Sequence, residues 1–245
     1  MTITSYAQNF EDIMLWRALG HIEAGFYIDI GAQHPVRDSV SKAFYERGWR
    51  GVHIEPVPSY ASLLRRDRPD EIVLETAITD ASGSLPFYEI PETGLSTGSA
   101  DIAYSHQTKG FSLKETRVPC ITLATVFEMV PHREIHWLKI DVEGFEYQVL
   151  NSWGEVNVLP WIIVVESTLP LTQTATNHEW EHLLFARGYQ EIYFDGLNRF
   201  YLSKEHPYLA STFHCAPTFL IALFSVKRLL FVSLYNKKSS NKQKK

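Results

Sequence analysis

The chain has 245 residues, of which 45% are hydrophobic, and this is enough to bury the core of one α/β domain. Its charge is unevenly distributed: residues 216–245 carry seven Lys and Arg and no acid, whereas the preceding body carries 16 Lys and Arg against 28 Asp and Glu. An acidic body lacks the clustered cations that phosphate neutralisation requires, which argues against a nucleic-acid partner. The two cysteines, Cys120 and Cys215, show no CxxC spacing, so neither a disulfide framework nor a zinc site is indicated.

The N-terminal segment predicts an amphipathic helix over 7–19, because apolar residues recur there at near-helical spacing. We expect this helix to cover one face of the domain. Glu11 and Asp12 stand where a secretion signal would need an apolar run, so we expect a cytoplasmic location.

Strand-like runs then alternate with helical stretches, which is typical of a parallel sheet wrapped by helices. The predicted strands are 26–30, 51–55, 72–78, 136–142 and 161–166, and the predicted helices between them are 39–48, 59–68 and 144–153. Two further strands, 189–195 and 199–203, are separated by only three residues, which predicts a terminal antiparallel hairpin.

The segment 79–135 is too long for a single crossover helix. It contains two short strand-like runs and the loop "GLSTGSA", residues 94–100. This loop is either a lid that reads the substrate or a surface excursion.

Acidic and polar residues follow several predicted strands at the point where each strand ends. They are, in chain order, Asp29, Gly31, Glu55, Asp141, Glu143 and Glu166. Because open α/β sheets bind ligands at the carboxyl ends of their strands, we expect a site at this edge. Crowded carboxylates raise one another's pKa, so the edge requires either a ligand with hydroxyl groups and positive charge or a metal ion.

Glu55 lies about 24 residues beyond Gly31, where α/β nucleotide binders place an acid against ribose hydroxyls. The loop "GAQHP" that begins at Gly31 has one glycine rather than three, so it provides little room for a pyrophosphate. The two features together indicate a nucleoside without a diphosphate. S-adenosylmethionine meets this description, since it has ribose hydroxyls and positive charge but no phosphate.

The chain resembles the FkbM-type, S-adenosylmethionine-dependent methyltransferases, in particular those encoded with glycosyltransferases in polysaccharide gene clusters. The matching stretches are "SYAQNFEDIMLWRAL", "FYIDIGAQHPVRDSVSKAFYERGWRGVHIEPVP", "GLSTG", "VPCITL", "HWLKIDVEGFEYQVLNSW", "WIIVVESTLPLTQ" and "YFDGLNRFYLS". The resemblance implies a methyltransferase domain over 1–212 with a class I fold, in which helices flank a seven-stranded, mostly parallel sheet that ends in an antiparallel hairpin. It also implies O-methylation of a sugar hydroxyl in polysaccharide or glycoconjugate biosynthesis.

The resemblance assigns roles to individual residues as well. It implies that Asp29, Gly31 and Gln33 line the methionine part of the cofactor and that Glu55 binds the ribose. It implies that Ala77 and Asp80 border the adenine. Asp141, within "LKIDVEG", would face both the cofactor and the acceptor.

Several of the polar residues have two interpretations. His34 is either catalytic or shapes the turn that contains it. Asp141 and Glu143 are catalytic candidates, but carboxylates at that position also cap the helix that begins near Gly144. Glu166 either caps a helix or joins Asp141 and Glu143 in holding a divalent metal. The sequence leaves metal-assisted and simple base catalysis both open.

Two other functions compete with methyl transfer. The acid-x-acid pair Asp141-x-Glu143 after an apolar strand is also typical of metal-dependent glycosyltransferases, although that reading leaves "FYIDIGA" and Glu55 unexplained. A non-catalytic scaffold of the same fold would have no affinity for the cofactor.

The C-terminal residues 213–245 depart from the family pattern, and we expect them to form a poorly ordered tail. An apolar stretch too short to span a bilayer precedes five lysines. Such a segment predicts peripheral contact with the inner face of a membrane, where a lipid-linked glycan acceptor would be found. The sequence defines no oligomeric state.

Overall fold

The computed structural model of the chain describes residues 3–130 and 133–214. Most of the predicted tail, residues 215–245, lies outside the described residues. Phe213, the first residue of that tail, packs against Phe200 and Tyr193. Among the helices that the structure describes, none has the length and apolar character needed to cross a membrane.

The described residues form ten strands and seven α-helices. The strands are β1 Phe26–Ile30, β2 Arg50–Ile54, β3 Ile72–Leu74, β4 Ala77–Ile78, β5 Gly83–Glu89, β6 Lys114–Ile121, β7 Trp137–Ile140, β8 Ile162–Glu166, β9 Tyr189–Phe194 and β10 Asn198–Ser203. The helices are α1 Glu11–Leu19, α2 Lys42–Tyr45, α3 Pro58–Asp67, α4 Ala100–Thr108, α5 Leu123–Met129, α6 Glu146–Asn151 and α7 Glu181–Ala186. Short 3₁₀ helices occupy Asn177–Glu179 and Pro207–Phe213.

Seven strands form one sheet in the order β3-β2-β1-β7-β8-β10-β9. The first five strands in this order are parallel neighbours, whereas β10 is antiparallel to both β8 and β9. The predicted seven strands and terminal hairpin are therefore confirmed, but the sheet is mixed rather than mostly parallel. The difference lies at β10, which pairs antiparallel with β8 as well as with β9, so two of the six strand pairings in the sheet are antiparallel.

The central strands are buried on both faces, which explains why their sequences are mostly apolar. Successive side chains point to opposite faces, so Tyr27 and Trp137 pack in one core layer with Phe200. Ile28 and Leu138, one residue further along each strand, pack in the layer on the other face. The site at the strand ends therefore lies on a sheet that is packed against a hydrophobic layer on each face.

The predicted strand over 72–78 is wrong as a single strand. Its first half is β3 of the main sheet, and its second half is β4 of a separate sheet with the order β4-β6-β5. The chain crosses between the sheets at Thr76, whose hydroxyl donates to the Pro119 carbonyl at 2.9 Å. The two short strands predicted within 79–135 are confirmed as β5 and β6.

Helix α1 begins at Glu11, later than predicted, because the Asp12 side chain holds the residues before the helix in a non-helical conformation. The Asp12 carboxylate accepts hydrogen bonds from the Ser5 hydroxyl and from the backbone N–H groups of Tyr6 and Ala7. These residues therefore form a turn against the first turn of the helix. As a result, Glu11 is fixed at the helix start.

The ends of β1 and β7 approach each other at Gly31. This residue has a φ of 78°, and a Cβ atom built on it would lie 1.7 Å from the carbonyl oxygen of Asp141. Only glycine therefore allows the turn after β1 to pass the end of β7.

We predict that Gly31→Ala destabilises the protein far more than Gly48→Ala does. Gly48 has a similar φ of 85° but has no atom within 4 Å of its Cβ position, so Gly48→Ala measures the backbone strain alone. That strain costs roughly 1–2 kcal/mol, and the overlap at Gly31 adds to it. Urea denaturation of both variants provides the measurement. Equal losses would show that the close approach contributes nothing to stability.

Candidate active site

A cavity of about 640 Å³ lies at the carboxyl ends of β1 and β7. The strand order reverses at this point, because β2 and β3 extend from one side of β1 while β7 and β8 lie on the other. Open α/β sheets bind ligands in the crevice formed at such a reversal. Seven of the predicted site residues line the cavity: Gly31, Gln33, Glu55, Ala77, Asp141, Glu143 and Glu166.

Glu55 joins the two turns that form one side of the cavity. Its Oε2 accepts a hydrogen bond from the Gln33 backbone N–H and its Oε1 accepts one from the Val57 N–H, both at 2.8 Å. Burial raises the pKa of Glu55 to about 7, although the two backbone donors oppose this shift. Each carboxylate oxygen keeps a second lone pair, which leaves Glu55 able to accept from a ligand hydroxyl.

Beside Glu55 the cavity wall is apolar. The side chains that form this slot come from β2, α3, β4 and β5, and they are Ile54, Val57, Tyr60, Ile78, Leu85 and Phe87. A slot of this composition suits a flat heteroaromatic ring. Tyr60 on α3 was not predicted. Leu85 and Phe87 were not predicted either, because β5 belongs to the second sheet and only the tertiary structure brings it to this wall.

The opposite side of the cavity is acidic. Asp141, Glu143 and Glu166 each offer a carboxylate oxygen, and these oxygens lie within 4.8 Å of one another. Burial raises the pKa of Glu143 and of Glu166 well above the ordinary range, and the neighbouring acids raise both further. The three residues predicted as metal or catalytic candidates are thus brought together.

Lys139 provides a buried positive charge to this acidic side. Its Nζ lies 2.6 Å from Oδ2 of Asp141. Burial alone would lower the pKa of Lys139, but the charges of Asp141, Asp29 and Glu11 more than offset this and raise it. Lys139 was not predicted as a site residue. It lies two positions before Asp141 in a buried strand, and side chains at that spacing point to the same face of the sheet.

Glu11, at the start of α1, also lines the cavity. Its Oε1 accepts from the Asn198 side chain at 2.8 Å, and its Oε2 accepts from the Asn9 N–H at 2.7 Å. Burial and the nearby Asp195 raise the pKa of Glu11 to about 7. The first helix therefore contributes to the cavity, beyond the covering role that the sequence predicted.

Three predicted residues are not among the described residues that line the cavity. Asp29 is buried, and its Oδ2 accepts from the Ser41 hydroxyl at 2.6 Å. His34 accepts at Nδ1 from the backbone of two following residues, which is the turn-shaping role considered above. Asp80 is exposed and accepts from the Thr79 hydroxyl. The cofactor and catalytic roles of these three residues stay predictions.

The loop for which the sequence left a lid and a surface excursion both open borders the cavity, and we call residues 93–97 the strap. The Thr93 carbonyl accepts from the Gln33 side chain at 2.9 Å and from the Tyr60 hydroxyl at 3.3 Å. At the other end of the strap, the Thr97 hydroxyl donates to the Glu143 carbonyl at 2.7 Å. The strap therefore connects the Glu55 side of the cavity to the acidic side.

A cavity at the strand-order reversal of a seven-stranded, mixed α/β sheet is consistent with a methyltransferase-like fold. A family model described as the methyltransferase FkbM domain matches residues 29–191, about two thirds of the chain. The chain belongs to this family, as the sequence resemblance predicted. A comparison with curated proteins found no match. Glu11 lies before the matched residues.

We predict that Glu55 makes the ligand-free protein less stable as the pH rises. Its pKa in the folded state lies above the ordinary value of 4.5, so its contribution is fully present below pH 4.5 and is lost as the pH rises through about 7. Relative to Glu55→Gln, the wild type should lose up to about 3 kcal/mol of unfolding free energy over this range. Urea denaturation between pH 4.5 and pH 8 measures the difference. Glu92→Gln is the control for the loss of one carboxylate from the cavity. If the unfolding free energies of the wild type and of Glu55→Gln changed in parallel with pH, the prediction would be contradicted.

Proposed function

We propose that this protein is an S-adenosylmethionine-dependent O-methyltransferase that acts on a sugar hydroxyl in polysaccharide or glycoconjugate biosynthesis. The observation that carries the proposal is the cavity itself, in which Glu55 and an apolar slot stand on one side and a carboxylate cluster on the other. Membership of the FkbM methyltransferase family supports the same reaction class.

The Glu55 side fits the cofactor in both shape and charge. Glu55 would accept from the ribose hydroxyls, the apolar slot would hold the adenine, and the turn from Gly31 to Gln33 would border the methionine part. The wall provides acids rather than a phosphate cradle, which matches a ligand with sulfonium and ammonium groups. When bound, the cofactor supplies an electrophilic methyl group whose bond to sulfur breaks as the new bond to oxygen forms.

The acidic side must orient the acceptor hydroxyl and take up its proton. A carboxylate is a weak base for an alcohol, since roughly ten pKa units separate the two groups. Asp141 is held in place by Lys139 and faces the cavity from the end of β7. The proposal therefore includes a divalent metal, because a cation would lower the pKa of the acceptor hydroxyl.

A sugar acceptor is supported by further polar groups of the cavity wall. Ser96, Thr172 and Gln173 line the cavity and offer hydroxyl and amide groups that pair with sugar hydroxyls. The exposed side chain of Leu171 lies among them and would pack against an apolar part of the acceptor. The sequence resemblance to methyltransferases of polysaccharide clusters favours the same acceptor class.

The test is calorimetric titration with S-adenosylhomocysteine and, separately, with uridine diphosphate and Mn²⁺. We expect binding of S-adenosylhomocysteine only, weakened by about 1–3 kcal/mol in Glu55→Ala through loss of charge-assisted hydrogen bonds. Binding of uridine diphosphate alone would instead indicate a glycosyltransferase, and binding of neither would indicate a scaffold. Methyl-labelled cofactor supplied with a panel of glycans should then yield a labelled methyl ether, and label on another acceptor class would refute the sugar assignment.

We further propose that the C-terminal segment, residues 216–245, contacts anionic membranes and brings the enzyme to a lipid-linked acceptor. Its seven Lys and Arg follow or interrupt apolar residues, and each cation near the surface contributes about 1 kcal/mol. The full chain should co-sediment with anionic liposomes at low salt and less at high salt. A chain truncated at residue 215 should remain in the supernatant, and equal sedimentation of both forms would refute the proposal.

A further inference from the structure

We infer that Asp141, Glu143 and Glu166 form a binding site for one divalent cation of the Mg²⁺ or Mn²⁺ type. The three donor oxygens lie within 4.8 Å of one another. Asp141 follows β7 directly, Glu143 lies in the turn after it, and Glu166 is the last residue of β8. Because β7 and β8 are paired in the central sheet, the sheet sets the spacing of the carboxylates.

The second observation is an unpaired oxygen on a buried member of the cluster. Glu143 is 8% exposed, and its Oε2 has no hydrogen-bond partner among the described residues. A buried carboxylate oxygen without a partner is strongly unfavourable unless a donor or a cation approaches it. A cation among the three carboxylates would supply that partner.

The charges of the cluster also match a divalent ion. When all three carboxylates are ionised, Lys139 offsets one of the three negative charges through its contact with Oδ2 of Asp141. The Glu166 side chain, which is 8% exposed, makes no hydrogen bond or ion pair with the residues that the structure describes. A divalent cation would neutralise the two charges that remain and leave the ammonium group of Lys139 in place.

The donor set selects the kind of cation. All three ligands are carboxylate oxygens, which hard cations such as Mg²⁺, Mn²⁺ and Ca²⁺ prefer over softer transition metals. Three protein oxygens leave positions of a six-coordinate ion open to water or to acceptor oxygens. The role of these open positions in activating an acceptor hydroxyl rests on the proposed function, whereas cation binding itself does not.

The test is Mn²⁺ binding to the full chain at about pH 8, above the ordinary carboxyl range, followed through the electron paramagnetic resonance signal of free Mn²⁺. We expect one Mn²⁺ per chain, displaced by Mg²⁺. Glu143→Gln and Glu166→Gln should each weaken binding by about tenfold or more, since each removes a ligand charge. Glu92→Gln, which removes an exposed carboxylate of the same cavity outside the cluster, should bind as the wild type does.

Folding of the variants is checked by their melting temperatures. Glu143→Gln and Glu166→Gln each relieve like-charge repulsion, so in the presence of a chelator both should melt at or above the wild-type temperature. Addition of Mg²⁺ should raise the melting temperature of the wild type and of Glu92→Gln, with a smaller effect on the two cluster variants.

No saturable Mn²⁺ binding by the wild type, or equal binding by the wild type and Glu166→Gln, would overturn the inference. Parallel titration with S-adenosylhomocysteine in chelator separates this outcome from the methyltransferase proposal. A chain that binds S-adenosylhomocysteine but no Mn²⁺ loses the cation site and keeps the proposed function. A chain that binds Mn²⁺ at the cluster but no S-adenosylhomocysteine keeps the cation site and contradicts the proposed function.

Discussion

The ion pair between the buried Lys139 and the half-buried Asp141 is the interaction on which the candidate site depends. Asp141, Glu143, Glu166 and Glu11 all line one cavity, and Lys139 is the buried cation among its described lining residues. Lys139 opposes the rise in the pKa of Glu143 and of Glu166 that burial and the neighbouring acids cause. Removing Asp141 would leave the buried charge of Lys139 without its partner, so the two residues stabilise the site as a pair.

Two backbone segments connect the Glu55 side of the cavity to its acidic side. Gly31 lets the turn after β1 pass within contact of Asp141, so the Glu55 side and the acidic side share one junction at the strand ends. The strap from Thr93 to Thr97 provides a second connection above it, because it bonds to Gln33 at one end and to the Glu143 backbone at the other. This arrangement suits a reaction in which two substrates must be aligned to within a fraction of an ångström.

Much of the architecture could be predicted from local patterns. The bounds of β1 were predicted to the residue, and those of β2, β7 and β8 within two residues, because buried strands of a central sheet have mostly apolar sequences. The strand over 72–78 failed because nothing local marks the point at which the chain leaves one sheet for another. The mixed character of the sheet depended on where β10 inserts, which is a long-range pairing that no short segment encodes.

The sequence by itself determined that acids stand at the carboxyl ends of parallel strands, and parallel strands necessarily bring those ends to one edge. This is why Glu55, Asp141, Glu143 and Glu166 were predicted together and do line one cavity. Only the tertiary structure decided which further side chains face that cavity: it brought Phe87 from the second sheet and Glu11 from the first helix, and it buried Asp29 against Ser41. The physical reason is that side-chain direction at an edge depends on the packing of distant elements, whereas the local hydrophobic pattern marks where a buried strand lies along the chain.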